Sequence, residues 1–219
     1  MCGRYALHAN LEVVALQFGL EQAPEFKRSY NVYPGGDILV VTSRGARQHR
    51  WGLIPHWAKD PSIGNKLANA RGESIAERPA FRDAFMQWRC LVPASGFYEW
   101  QTVAGQKQPW YLRPLDAELF GLAGITSLWK GVRSVSLITT VPNALMEPIH
   151  DRMPVIVAPE DYAQWLDPGN QDIEALTRFV RAYPAERMEA WPVSPRVNAP
   201  ENDDAALLER SAPRQSSLL

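Results

Sequence analysis

The chain has 219 residues, 46% hydrophobic and 21% charged, which suits one soluble globular domain. A net charge of -1 excludes a molecule that is basic overall, though not one with a local positive groove. Two cysteines make no disulfide framework. With no basic apolar leader and no apolar run long enough for a bilayer, the sequence predicts a cytoplasmic protein that is neither secreted nor membrane-spanning.

Eighteen prolines and eight tryptophans predict short strands, many turns and large packing or stacking surfaces. Residues 8–19 read as a helix, because Leu11, Val14, Ala15 and Phe18 recur at helical spacing, Asn10 can cap it and Gly19 ends it. Residues 29–34 are extended, held from helix by Pro34. A strand over 38–42 is followed by a basic loop over 43–50, a short extended piece over 51–55 and an irregular stretch over 56–68. Residues 76–88 carry a helical stripe in Phe81, Ala84, Phe85 and Trp88. Residues 90–93 read as buried, and strands are expected over 97–100, 110–113, 119–125 and 135–140, with spacings that suit an antiparallel or mixed sheet closing on itself. An apolar run over 155–157 precedes helices over 160–166 and 172–183, the second with Ile173, Leu176 and Val180 inward. Residues 190–199 are extended, and 211–219 have no periodicity.

The chemistry centres on Cys2. If Met1 is removed, Cys2 carries an α-amine and a thiol on one residue, with reference pKa values near ~8 and ~8.5. Such a residue can attack a carbonyl with nitrogen and then close sulfur onto the same carbon, giving a thiazolidine. Three polar residues stand in apolar or turn-like surroundings. Glu99 lies between Tyr98 and Trp100, which would desolvate it and make it a proton donor and acceptor. His150, followed by Asp151 and Arg152, can move protons near neutrality. Asn69 can both donate and accept. Each has a plainer reading, as a solvent-facing strand glutamate, a loop histidine paired with Asp151 and a turn asparagine. Arg4, Arg71 and Arg152 each follow one of Cys2, Asn69 and His150 by two positions, so they would rim a shared site and suit an anionic ligand. Trp51, Trp57, Trp88 and Trp100 offer stacking surfaces, some of which must be core. The histidines at 8, 49, 56 and 150 show no metal-ligand spacing, and neither metal nor cofactor is expected.

MCGRY at the start, NVYPG at 31–35, WGLIPHW at 51–57, NARGES at 69–74, ASGFYEW at 94–100, IHDRMPVI at 149–156 and WPVSPRVN at 191–198 occur in this order. The pattern resembles the SOS response-associated peptidase (SRAP) family over residues 2–199. Members of that family protect abasic sites in DNA. The resemblance implies a single compact α+β domain over 2–202, with antiparallel strands curled into a barrel-like core and flanking helices; the tail over 203–219 lies outside it and is expected to be disordered. It implies that Cys2 crosslinks to the ring-opened sugar of an abasic site in single-stranded DNA, with Asn69, Glu99 and His150 as the other catalytic residues. It further implies Arg4, Asn31, Pro34, Trp51, Trp57, Arg71 and Arg152 on the DNA. His56-Trp57-Ala58 departs from the paired aromatics common in the family's wedge loop, so stacking would be weaker or shared with Pro34. The expected partner is single-stranded DNA with an abasic site, alone or at a junction with a duplex end, bound by a monomer.

On this reading Glu99 assists ring opening and dehydration, Asn69 orients the Cys2 backbone and amine, and His150 serves the sugar oxygen. An imine that persisted would permit slow β-elimination, a weak lyase activity. Two alternatives are a thiol peptidase using Cys2 with His150 as base, and a non-catalytic single-strand binding module. The peptidase needs only the sulfur, and the binding module gives Cys2 and Glu99 no role.

Overall fold

The structure is a computed structural model that describes residues 2–213. Its strands are β1 (Arg4–Leu7), β2 (Ser29–Val32), β3 (Asp37–Thr42), β4 (Gly45–Trp51), β5 (Asn69–Arg71), β6 (Arg89–Ala94), β7 (Gly96–Val103), β8 (Gln106–Pro114), β9 (Phe120–Trp129), β10 (Val132–Thr140), β11 (Met153–Pro154), β12 (Ile156–Val157) and β13 (Met188–Pro192). Four short α-helices flank them: α1 (Leu11–Gln17), α2 (Arg82–Gln87), α3 (Tyr162–Leu166) and α4 (Ile173–Thr177).

β10, β4, β3, β6 and β9 pair in that order, and β9 pairs back to β10, so five strands close into a barrel. Closure removes the sheet edges that would otherwise invite pairing with other chains. Only the β4–β10 contact in the ring is parallel. β4 pairs with the first half of β10, at Ser134 and Val135, and β5 takes over along the second half, from Leu137 to Thr139. Gly52 makes the departure of the chain from β4 possible. Its φ is +127°, and a Cβ there would lie 2.6 Å from the Gly64 carbonyl oxygen. β13, β8, β7, β1 and β2 form a second, antiparallel sheet. Ser95 joins β6 of the barrel to β7 of this sheet, and its N–H donates to the Ala6 carbonyl at 2.7 Å. The core is the barrel interior and the layer between the sheets, filled by side chains such as Val92, Phe97, Leu112, Leu122 and Leu137.

Several elements differ from the sequence reading. The basic stretch over 43–50 is a strand, because β3 and β4 form a hairpin with Thr42 opposite Gly45, while Arg47 and Gln48 face solvent and His49 and Trp51 face inward. The helix expected over 76–88 shrinks to α2, with Pro79 unable to continue a helical hydrogen-bond ladder. The helix over 172–183 shrinks to α4, capped by Asp172, with Leu176 buried but Ile173 exposed. The tail expected from 203 is ordered at its start. Asp203 accepts from the Tyr30 N–H and the Ser29 hydroxyl, Asp204 caps a 3-10 turn over Ala205–Leu208, and Leu207 is wholly buried beside Trp191. These hydrogen bonds, the Trp191 Nε1 bond to the Leu208 carbonyl and the packing of Leu207 together anchor that segment. Residues 214–219 of the expected tail lie outside the described residues. Among the described residues no helix is long and apolar enough to cross a membrane.

Candidate active site

The site lies on the seam between the two sheets. Cys2 leads into β1 of the second sheet, Glu99 stands on β7 beside it, and Asn69 opens β5 on the barrel. His150 sits in the turn before β11, held by its N–H to the Met146 carbonyl at 2.9 Å. Register explains the meeting. Arg4 pairs with Tyr98, which brings Cys2 alongside the Glu99–Trp100 step, while Asn69 opposite Leu137 carries the barrel wall to the same place.

Asn69 Nδ2 donates to the Cys2 carbonyl at 2.9 Å. Its Oδ1 is buried and has no hydrogen-bond partner among the described residues, so one acceptor remains beside Cys2. Cys2 is wholly buried; burial, helped by the nearby Glu99 charge, pushes its thiol far above the ordinary thiol range. Glu99 is buried too, and desolvation raises its carboxyl from 4.5 to about 7. That value makes it able to give and take a proton at neutrality. His150 Nε2 lies 4.0 Å from Glu99 Oε2. Its Nδ1 lies 3.0 Å from the Arg152 N–H and 2.9 Å from Asp151 Oδ1. One nitrogen cannot accept from the first and donate to the second at once. Burial lowers the imidazole pKa and Asp151 only partly offsets this, so the neutral ring is favoured. Nδ1 then accepts from Arg152 and the Nε2 proton points toward Glu99.

The residues expected on DNA divide. Trp57 is 51% exposed, and Pro34 and Arg71 are exposed as well. Trp51 is not available: it is wholly inside, 5.4 Å from the Tyr5 ring, with Nε1 donating to the Ala68 carbonyl at 2.9 Å. The strand alternation of β4 turns it inward, a direction that its isolated motif did not reveal. Asn31 is also buried. It accepts from Arg4 Nη1 at 2.7 Å and donates through Nδ2 to the carbonyls of Val197, Ala199 and Asn202. Its place is under Arg4, not on a ligand. Arg4 is fixed by Asn31, Val197 and Asn198 and lies 5.4 Å over the Tyr33 ring. Arg152 forms a bidentate pair with Glu73, at 2.7 and 2.9 Å, and donates to the Thr139 carbonyl. Its charge is therefore partly neutralised in place. Glu73, Tyr33 and Asn198 were overlooked as contributors, although Glu73 and Asn198 belong to the NARGES and WPVSPRVN motifs and Tyr33 to NVYPG. Charge complementarity between Glu73 and Arg152 was the available signal. Among the described residues no group of three or more His, Cys, Asp or Glu side chains could hold a metal ion.

Residues 1–200 match the family described as SOS response associated peptidase (SRAP). The chain is 40% identical to the abasic site processing protein YoqW of Bacillus subtilis (strain 168), over 95% of this chain and 99% of the relative. It is 30% identical to the abasic site processing protein HMCES of Gallus gallus, over 84% of this chain and 68% of the relative. A crystal structure of a protein from Bacteroides thetaiotaomicron superposes with a TM-score of 0.88 at 28% identity, covering 96% of this chain and all of that one. Because the match runs through both sheets and the seam that joins them, the chain belongs to the SOS response associated peptidase family.

Proposed function

We propose that this protein processes abasic sites in single-stranded DNA by forming a thiazolidine between Cys2 and the ring-opened deoxyribose. The observation that carries the reading is the Asn69 hydrogen bond to the Cys2 carbonyl beside a buried Glu99 that titrates near neutrality. The names of the relatives, which describe abasic site processing, support it.

The reaction requires Met1 to be removed so that Cys2 bears a primary amine. Glu99 and His150 move the proton that opens the sugar, the His150 Nε2 proton turning from Glu99 to the sugar oxygen once the lesion is bound. The amine lone pair then attacks the C1′ aldehyde carbon, giving a carbinolamine. Protonated Glu99 delivers the proton with which hydroxide leaves as water, and an imine remains. The Cys2 sulfur adds to C1′ of the protonated imine, the thiol proton passes to the Glu99 carboxylate, and the five-membered ring closes on a neutral nitrogen. One water is lost overall. Asn69 Oδ1, which has no partner among the described residues, accepts from the amine and holds it toward the carbon. β-elimination from the imine, a weak lyase path, competes with ring closure.

Arg4 and Arg71 supply phosphate contacts, with Trp57 and Pro34 stacking at the end of a duplex where the lesion lies at a junction. The protein acts as a monomer in a reducing cytoplasm that keeps Cys2 free. A thiol peptidase fits the site less well, because a buried, strongly protonated sulfur is a poor nucleophile. Incubation with abasic and intact oligonucleotides on a denaturing gel tests the proposal. A shift of the abasic strand alone is expected. No shift of either strand overturns the crosslinking reading, and cleavage of a peptide substrate in its place favours the peptidase.

A further inference from the structure

A cavity of about 470 Å³ opens at the barrel end away from the seam, between the β3–β4 hairpin, the C-terminus of α2 and the β9–β10 hairpin. Arg133 near the start of β10 lines it, whereas Thr139 near the end of β10 supports the seam. Six strand residues separate the two, roughly 20 Å at strand rise, so the cavity is not part of the candidate active site.

Its lining is one-sided in charge. Arg44, Arg47 and Arg133 contribute exposed guanidinium groups, and among the described residues no aspartate or glutamate lines the cavity. None of the three forms an ion pair among the described residues. Unpaired arginines that converge on a concave surface suit a phosphate, which they can grip with two parallel N–H groups each. Beside them Trp88 is 47% exposed, while its carbonyl is fixed by the Thr126 N–H at 2.8 Å and the Thr126 hydroxyl at 3.2 Å. An exposed indole on a fixed backbone is a stacking platform for a base. His49 forms part of the wall and is 6% exposed, with an Nδ1 that has no partner among the described residues. Burial above all, with the Arg133 and Arg47 charges, holds its imidazole down at about 4, so the ring is neutral and adds hydrogen-bonding capacity without charge. The volume exceeds what a lone phosphate fills and falls within the range of small-molecule sites.

We propose that this cavity is a second binding site that takes a phosphorylated nucleoside, with its phosphate on Arg47 and Arg133 and its base on Trp88. The nucleotide comes either free from solution or as one unit of a DNA strand that reaches beyond the seam. The proposal does not depend on covalent chemistry at Cys2.

Isothermal titration of the full chain with deoxyadenosine monophosphate, deoxyadenosine and inorganic phosphate tests it. Saturable binding of the monophosphate is expected, tighter than either fragment. The double substitution Arg47→Glu and Arg133→Glu should abolish it. Trp88→Ala should weaken it roughly five- to a hundredfold, the range for losing one base–aromatic stack. Urea melts confirm that the variants fold, and their yield of adduct with a short abasic oligonucleotide should match the wild type. A single-stranded oligonucleotide long enough to span both sites separates the sources. If the cavity serves the DNA strand, the double variant weakens the long oligonucleotide but not a short one, and if it serves a free nucleotide, it weakens neither. The proposal fails if neither the monophosphate nor the long oligonucleotide responds to the double variant. It also fails if inorganic phosphate binds as tightly as the nucleotide, since Trp88 would then have no part.

Discussion

Glu99→Gln isolates the proton that the site depends on, and its effect on stability follows from the burial of the carboxyl. The group titrates at about 7 in the fold against an ordinary 4.5. Between those two values the folded protein holds more protons than the unfolded chain, so ionising Glu99 costs stability as pH rises, and the loss levels off above about 7. Two and a half pK units amount to about 3 kcal/mol in full, of which about 2–3 kcal/mol falls between pH 5 and pH 8. Glutamine keeps the shape but cannot ionise. Relative to the wild type, Glu99→Gln should therefore gain stability with rising pH by about that amount, read from urea midpoints at matched m-values. The same substitution should slow adduct formation by ~10²–10⁴, or less if the amine reacts well unaided. The two effects have opposite signs, as expected where a buried ionisable group is kept for chemistry. Parallel pH–stability curves for wild type and variant would refute the reasoning, because the carboxyl could not then be raised by burial.

Trp51→Ala should cost about 3–5 kcal/mol in urea unfolding, as a large buried ring is lost from the barrel, with unchanged DNA affinity per folded molecule. Asn31→Ala removes one donor each from the carbonyls of Val197, Ala199 and Asn202 and leaves Arg4 without its side-chain brace. It should lower stability by about 1–3 kcal/mol and weaken binding to single strands of any sequence alike, measured by fluorescence anisotropy. Glu73→Gln removes the carboxylate that engages Arg152, so affinity for single-stranded DNA should rise and the log–log salt dependence should steepen by up to about 0.7. His150→Ala should slow both formation and release of the adduct, read by exchange of a preformed crosslink against excess competing abasic DNA. Wild-type exchange rates would remove His150 from the mechanism.

The residues that meet at the seam were legible because each carries its reason locally. Glu99 stands out in sequence as a lone carboxylate in an aromatic strand motif, but alternation turns Tyr98 and Trp100 to the other face, so the burial that raises it comes from the fold. His150 and Asn69 stand in short polar motifs whose pairing needs only one close approach. The direction of a side chain from an isolated strand was not legible. Trp51 and Trp57 read alike as surfaces for bases, yet closure of β4 against β10 turns one into the core and leaves the other on a loop. The arginines failed differently. Sequence spacing predicts where Arg4 and Arg152 stand but not who holds them, and Glu73 and Asn31 come from other segments. The β4 strand was hidden because Arg47, Gln48 and Arg50 read as a polar loop, and exposed polar positions say nothing against pairing when His49 and Trp51 turn inward.

In the proposed reaction two nucleophiles on one residue raise the question of which acts first, and the burial at the seam favours the amine. Burial and the neighbouring carboxyl keep the Cys2 thiol protonated, which removes the sulfur as an opening nucleophile. An amine in the same place has a lower reference pKa and needs only to lose one proton to become neutral, a change that burial favours. The amine therefore leads and the sulfur follows, once the imine has placed an electrophilic carbon within a five-membered ring of it. The thiol must still give up its proton at that step. A carboxylate at about 7 is a suitable acceptor, having given its own proton to the departing water one step earlier. The same burial that makes the sulfur slow to attack also makes it slow to leave, since expulsion regenerates a thiolate in an apolar setting. On this argument one physical cause sets both the order of bond formation and the persistence of the adduct. A substitution that admits water to Cys2 without removing the thiol should thus shorten the adduct's lifetime more than it changes the rate at which the imine first forms.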